Sequence, residues 1–282
     1  MPSMKTIRRR IASVDTTKKI MKAMDMVAAA KLQKMKERLV PARSFANEAR
    51  NILAAFDHWD EAMENAFCKQ RPISATGYVV ITSDRGLCVA LNTALSEQAL
   101  AHMNGGKHEK ILAVGLKGHE YFTAREKNIL RTYPDVSETV FYEDAMRIAA
   151  TLCSLYTSGE VDEAYIAYTR YESALTHVPR IVRLLPVSAP TESHPPAAPV
   201  RCDPDVQVFL NHTIPMYLNA AVYTALIESS ACEQAGRMMS MDSAVSNASD
   251  IIFNLTRAYN RKRQAAITQE ISEIVGSANM AK

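Results

Sequence analysis

Residues 7–39 read IRRRIASVDTTKKIMKAMDMVAAAKLQKMKERL, and the spacing of their apolar side chains decides the architecture. Ile7, Ile11, Val14, Met21, Ala28, Leu32, Met35 and Leu39 fall on a heptad seam, the pattern by which one helix packs along another. Two seam positions are filled by Lys18 and Asp25, and polar seam residues fix register at a cost in stability. Met24, Met26 and Val27 form a second apolar stripe, expected to broaden the buried face. The periodic pattern extends over residues 3–56 as one helix, in which only Pro41 is expected to introduce a kink or a short break. A helix of that length spans roughly 75–80 Å, wider than a compact domain of this chain.

The other end of the 282-residue chain has the same grammar. Pro204 and Asp205 open a second helical stretch, with Pro215 as an expected kink in its first few turns. Met241, Val245, Ala248, Ile252, Leu255 and Tyr259 continue a heptad seam, which then slips by one residue to Arg263, Ile267, Ile271 and Ile274. Two long helices with matching seams can satisfy each other as an antiparallel coiled coil, whereas either alone would leave its seam in water. The C-terminal helix outruns its partner by roughly 15 residues at 1.5 Å per residue. Its tip is apolar at Ile267, Ile271, Ile274 and Val275, so it is expected to enter another protein. The long helices also hold Met21, Met24, Met26, Met35, Met238, Met239 and Met241. Methionine suits both plain seam packing and a surface that repacks against several partners.

Between these ends the composition changes. Seven of the 9 glycines lie between Gly77 and Gly159, and none precedes Gly77. Gly77–Thr82 and Lys110–Gly115 read as buried strands, followed by helices over 91–103 and 117–127. A third helix runs over 143–157, and strands over 161–171 and 180–187 pair as a hairpin around Thr176–Pro179. Alternating strand and helix give a small α/β, Rossmann-like domain with a partly parallel sheet. The fold class is therefore α+β overall. A coiled-coil helix covers residues 1–60, an inserted α/β domain 75–188, a proline-rich connector 189–203 and a second coiled-coil helix 204–282.

Several functions are excluded or left without support. No run of 18 apolar residues spans a membrane, and the basic N-terminus lacks the apolar core of a secretion signal. Cys68, Cys88, Cys153, Cys202 and Cys232 are scattered, which argues against zinc and against a disulfide framework and fits a reducing compartment. His58, His102, His108, His119, His177, His194 and His212 form no HxxxH or HxxH pair, so no metal site is expected. The phosphate-cradling motifs GxGxxG and GxxxxGK[ST] are absent. Gly115-Leu116-Lys117-Gly118 opens a helix after a strand, which makes it either an anion site or a plain turn. Ser83-Asp84-Arg85-Gly86 sits at a strand end, where ligands bind in such folds, but no nucleophile and base assemble around it. No catalytic residue and no cofactor are expected. Charge is uneven: residues 1–50 carry 13 Lys/Arg against 4 Asp/Glu, while residues 51–203 carry 14 against 19. Such a basic helix suits nucleic acid, anionic lipid, an acidic protein or simply solvent.

Residues 20–32, IMKAMDMVAAAKL, resemble the N-terminal motif of the gamma subunit of F-type ATP synthases. Residues 259–270, YNRKRQAAITQE, resemble that family's C-terminal signature, and the likeness continues through Glu273-Ile274-Val275. Thr82–Cys88 is similar to the segment after the first strand of its central domain, and Arg237–Asp242 to another helical stretch. The likeness covers the whole chain in order. The chain departs where the family usually has Gly-Ala-Phe-Asn and this sequence has Val89-Ala90-Leu91-Asn92, at Asp25, and at Gly236, where alanine is common. In the shaft, Gly236 marks either local compliance or close approach to a neighbour.

The resemblance implies a non-catalytic rotor shaft inside a ring of three alpha and three beta subunits. Its foot would meet the epsilon subunit and the membrane ring of c subunits, peripheral on the cytoplasmic face of a bacterial inner membrane. It further implies that Arg263, Gln264 and Thr268, with Met24 near their level, grip a beta-subunit loop. The apolar tip would run in a bearing of alpha and beta chains. No nucleic-acid contact and no direct membrane insertion are implied. A coiled-coil scaffold with an inserted ligand-binding domain has the same outline without accounting for the tip. A nucleic-acid binder using Arg8-Arg9-Arg10 lacks aromatic residues near those charges.

Overall fold

The structure, a computed structural model, describes residues 3–54, 62–88, 90–103, 108–187 and 205–280. The connector 189–203 with Cys202, and also His58, Val89 and Pro204, lie outside the described residues. Among the described residues, five helices and five strands follow in the order α1 (Met4–Ala54), β1 (Ala75–Ile81), α2 (Leu91–Met103), β2 (His108–Val114), α3 (Leu116–Thr123), β3 (Ile129–Tyr133), α4 (Tyr142–Thr157), β4 (Glu163–Tyr171), β5 (His177–Leu185) and α5 (Val206–Met280). The chain divides into two compact units, one made of Met1–Ala28 with Met238–Lys282, the other of Ala29–Arg237.

The first unit consists of the start of α1 and the end of α5. The Ser3 hydroxyl caps α1 by accepting the Thr6 N–H at 3.2 Å. On α1, Ile7 and Ala28 are buried and Ile11, Val14, Lys18, Met21 and Asp25 are half-buried, so the heptad seam includes its two polar positions. The expected second stripe is not part of it. Ile20, Met24, Met26 and Val27 are exposed, because at 100° per residue they point away from the seam. On α5, Met241 and Ala248 are buried, and Val245, Ile252, Leu255, Tyr259, Lys262 and Ala266 are half-buried. This corrects the expected one-residue slip. The shielded line keeps strict heptad spacing through Lys262 and Ala266, whereas Arg263, Ile267, Ile271 and Ile274 stand exposed.

The second unit is built on a five-stranded sheet of order β3-β2-β1-β4-β5, parallel except for the antiparallel pair β4–β5. The parallel strands read as continuous apolar runs because both faces are covered. Tyr78, Val80, Ile111, Ala113 and Ala167 point to one face and pack with Leu95, Ala99 and Met103 of α2 and Phe122 of α3. Ile166, Tyr168, Val182 and Leu184 point to the other, toward α1 and α5. Strand β3 was not expected. Only Tyr133 of its five residues is buried and Leu130 and Arg131 are exposed, so an edge strand lacked the apolar run that announces one. The helix expected over 117–127 ends at Thr123, where Glu126 turns into the left-handed region.

Neither long helix breaks at its proline. Pro41 and Pro215 are both interior to continuous helices. Neighbouring groups hold the turns around Pro41. The Thr224 hydroxyl donates to the Ala42 carbonyl at 3.2 Å, and Arg38 donates to the Val140 carbonyl and to the Tyr223 hydroxyl. Around Pro215, Leu210, Ile214 and Leu218 are fully buried. Each contributes about 1.5–3 kcal/mol of burial, comparable to the roughly 3 kcal/mol penalty of an interior proline.

Candidate functional site

In α/β sheets, ligands enter beyond the carboxyl ends of the strands, where the strand order reverses. Here that place lies after β1, next to β4, and the 82–88 segment and α5 fill it. The Ser83 N–H donates to the Asn92 side-chain oxygen at 3.0 Å, and the Asn92 amide returns a bond to the Ser83 hydroxyl at 2.7 Å. The Asp84 carboxylate accepts the Leu116 N–H at 3.1 Å and the Ser137 hydroxyl at 2.8 Å. From α5, Ser229 accepts the Thr169 N–H and Ser230 donates to the Ser137 carbonyl at 2.8 Å. Only about 20 Å3 of space remains there, lined in part by Cys88, Cys232 and Glu233. That is room for one water molecule, not for a substrate.

The start of α3 is likewise closed as an anion site. Its first N–H groups already have acceptors: Asp84 for Leu116, the Ser83 carbonyl for Lys117 and the Thr82 hydroxyl for Gly118. The carboxylate that a helix N-terminus favours is therefore supplied by the chain itself. The plain-turn alternative for Gly115–Gly118 is the correct one.

Gly236 is a close approach. A Cβ there would stand 2.8 Å from the Cys88 carbonyl oxygen and 3.1 Å from Leu91. On either side of it, Glu233 and Arg237 form a buried ion pair at 2.6 Å, and Arg237 also donates to Gln234 at 3.1 Å. Burial pushes the Glu233 carboxyl up from its ordinary range, and the Arg237 guanidinium opposes that shift. Ser137, Ser230 and Glu233 belonged to no motif. The Glu233–Arg237 spacing of four along a helix is a signal for this cluster in the sequence.

The outward residues of the first unit have the opposite character. Arg263, Gln264, Ile267, Thr268, Ile271, Ile274 and Val275 are all exposed. At 100° per residue they share an arc of about 140° on α5, directed away from Tyr259, Lys262 and Ala266. The four apolar members are 47%, 56%, 67% and 54% exposed in chain order, well above what a lone surface aliphatic needs. On α1, Ile20, Met24 and Val27 form a similar exposed stripe at helical spacing. Among the described residues no cluster of His, Cys, Asp and Glu could hold a metal ion, and no helix is long and apolar enough to cross a membrane.

The family model described as ATP synthase matches residues 3–280. The ATP synthase gamma chain of Desulforamulus reducens is 38% identical over 279 residues, covering 99% of both chains. That of Chlorobium phaeobacteroides is 36% identical over 290 residues, covering all of both.

The chain belongs to the ATP synthase gamma chain family.

Solved structures agree with the fold. A central stalk and c-ring structure of the Tetrahymena thermophila mitochondrial ATP synthase contains a chain that aligns with a TM-score of 0.62 at 26% identity, over 80% of this chain and 99% of that one. A chain of the Euglena gracilis mitochondrial enzyme aligns with a TM-score of 0.71 at 21% identity, over 98% and 93%. As a gamma-family chain this protein is the central rotor shaft of a rotary ATP synthase, a subunit of that enzyme and not its catalyst. The filled crevice after β1 gives the physical counterpart: the sheet of this chain uses the place where such folds bind ligands to hold α5.

Proposed function

We propose that α1 and α5 pair as an antiparallel coiled coil and turn inside a ring of three alpha and three beta subunits. Ion flow through the membrane ring of c subunits drives the rotation, which carries the beta-subunit sites through their affinity cycle. In this reading residues 1–60 and 204–282 are the shaft, residues 75–188 a Rossmann-like foot against the epsilon subunit and the c-ring, and residues 189–203 a connector. The assembly lies peripherally on the cytoplasmic face of a bacterial inner membrane. Arg263, Gln264 and Thr268 grip a beta-subunit loop, with Met24 nearby. Ile267, Ile271, Ile274 and Val275 turn in an apolar bearing made of the alpha and beta chains.

One observation carries this proposal: the separation of α5 into a shielded heptad line and an exposed face that holds both the polar and the apolar candidates. An exposed apolar surface of that kind in a family of assembled subunits calls for other chains to cover it. The guanidinium of Arg263 offers a planar fork of donors suited to carboxylates and carbonyls. The basic face of α1, with Arg8, Arg9 and Arg10 all exposed, suits acidic loops around it.

The test is the double variant Arg263→Ala/Gln264→Ala in the assembled complex. ATP turnover or its coupling to ion transport is expected to fall, while the isolated chain melts as the parent does. Parental coupling in that variant removes these residues from the mechanism. Co-purification with two different ATPase-like subunits at 3:3:1 tests the partners themselves.

A further inference from the structure

The second unit contains a trough that the rotor reading does not use. Its floor is the β4–β5 face, with Ile166, Val182 and Leu184, and its walls are α1 around Arg43–Arg50 and α5 around Tyr217–Glu228. The trough is open on one side and has a volume of about 390 Å3, within the range of small-molecule sites. Arg43 is committed. It meets Glu228 at 2.7 Å and donates to the Tyr171 carbonyl at 2.5 Å, so these two charges cancel. Arg50 and Arg170 also line the trough, and among the described residues neither side chain has an ion pair or hydrogen bond. The same holds for the hydroxyls of Tyr168 and Tyr217. Arg180, opposite Tyr168 in the strand register, adds positive charge beside it.

We infer that this trough binds a phosphorylated, ring-bearing small molecule of about mononucleotide size. The charge count selects the phosphate. A phosphate monoester carries nearly two negative charges at neutral pH, so it answers more of the charge of Arg50, Arg170 and the neighbouring Arg180 than a single carboxylate does. The planar guanidinium fork suits phosphate oxygens. Burial raises both phenols, so Tyr168 and Tyr217 keep their protons and act as donors. The apolar floor and the two tyrosine rings select a flat ring for the rest of the ligand.

The probe is adenosine monophosphate, titrated by calorimetry into the full chain, with adenosine and inorganic phosphate as partial ligands. One saturable site is expected, with a dissociation constant on the order of 0.1–1 mM. Each partial ligand should bind at least about tenfold more weakly, and Arg50→Ala and Arg170→Ala should each weaken the nucleotide about tenfold or more. Lys117→Ala, on α3 outside the trough, should leave binding unchanged. Thermal melts of each variant establish that it folds, and Arg50→Lys and Arg170→Lys retain charge in case an alanine variant does not. The inference is overturned by absence of saturable binding in the millimolar range. Binding that ignores both arginine positions, or that adenosine or phosphate alone reproduces in full, overturns it equally. None of these outcomes bears on the rotor function, which is tested separately at Arg263 and Gln264.

Discussion

Two stretches of this chain resemble family motifs and meet opposite fates. Around Ser83–Cys88 the polar groups turn inward: Asp84 closes the start of α3, Ser83 and Asn92 hold each other, and α5 lies against the Cys88 carbonyl. Around Arg263–Thr268 the polar groups stand outward on a face shared with Ile267, Ile271 and Val275. The first stretch joins the sheet to the helix. The second offers the helix to other chains. Resemblance to a family motif therefore does not reveal whether a residue serves the fold or the partner. Burial and the direction of its hydrogen bonds do.

The contrast can be tested from its inward end outward. The largest effect is expected at Gly115, which has φ +87° and whose Cβ, if present, would overlap the Thr82 carbonyl. Gly115→Ala should cost about 3 kcal/mol or more in urea unfolding of the full chain, from backbone strain and overpacking together. Gly236→Ala comes next. Helix propensity alone favours the change by about 1 kcal/mol. Against that, the new methyl meets the backbone carbonyl of Cys88, an overpacking cost of about 1–3 kcal/mol. A stabilised Gly236→Ala variant would show that the 88–91 segment yields, and would break the close-approach account.

Asp162 supplies a pH-dependent test. Burial raises its carboxyl, but the N–H groups of Ser74 and Ala75 and the Ser74 hydroxyl outweigh burial and hold it below the ordinary aspartate range. A lowered folded-state value means that the stabilisation is present above the unfolded pKa and lost as pH falls through the folded one. Asp162→Asn should therefore cost about 1–2 kcal/mol at pH 7, with the gap to the parent narrowing in acid. An unchanged gap from pH 7 to pH 2 would remove the ionised carboxylate from the explanation.

The smallest stability effects are expected on the outward face. Arg263→Ala/Gln264→Ala, and separately Val27→Ser, should change the unfolding free energy of the isolated chain by no more than about 0.5 kcal/mol each. Their effect should appear only on assembly or turnover. A large loss of stability in either would place these residues in the fold and end the contrast. Association of the chain with its ring should also weaken as salt rises, because Arg8, Arg9 and Arg10 of α1 are solvent-facing and screened.

The sequence by itself determined the elements with strong periodicity: the heptad line of α1, including Lys18 and Asp25, the helix at Leu91–Met103, and the parallel strands β1 and β2 as unbroken apolar runs. These patterns are local and repeat often enough to be read without a partner. Tertiary structure decided the rest. It showed that Met24, Met26 and Val27 do not broaden the buried face, that the α5 seam keeps to Lys262 and Ala266, and that Pro41 and Pro215 lie within unbroken helices. It also brought Ser137, Ser230 and Glu233 to one place from distant parts of the chain, and made Gly236 a point of contact with Cys88. Side chains that differ by one helical position differ by 100° in direction, and composition does not fix which direction meets a neighbour. Only the arrangement of the other elements does, and that arrangement is why the crevice after β1 holds a helix and not a ligand.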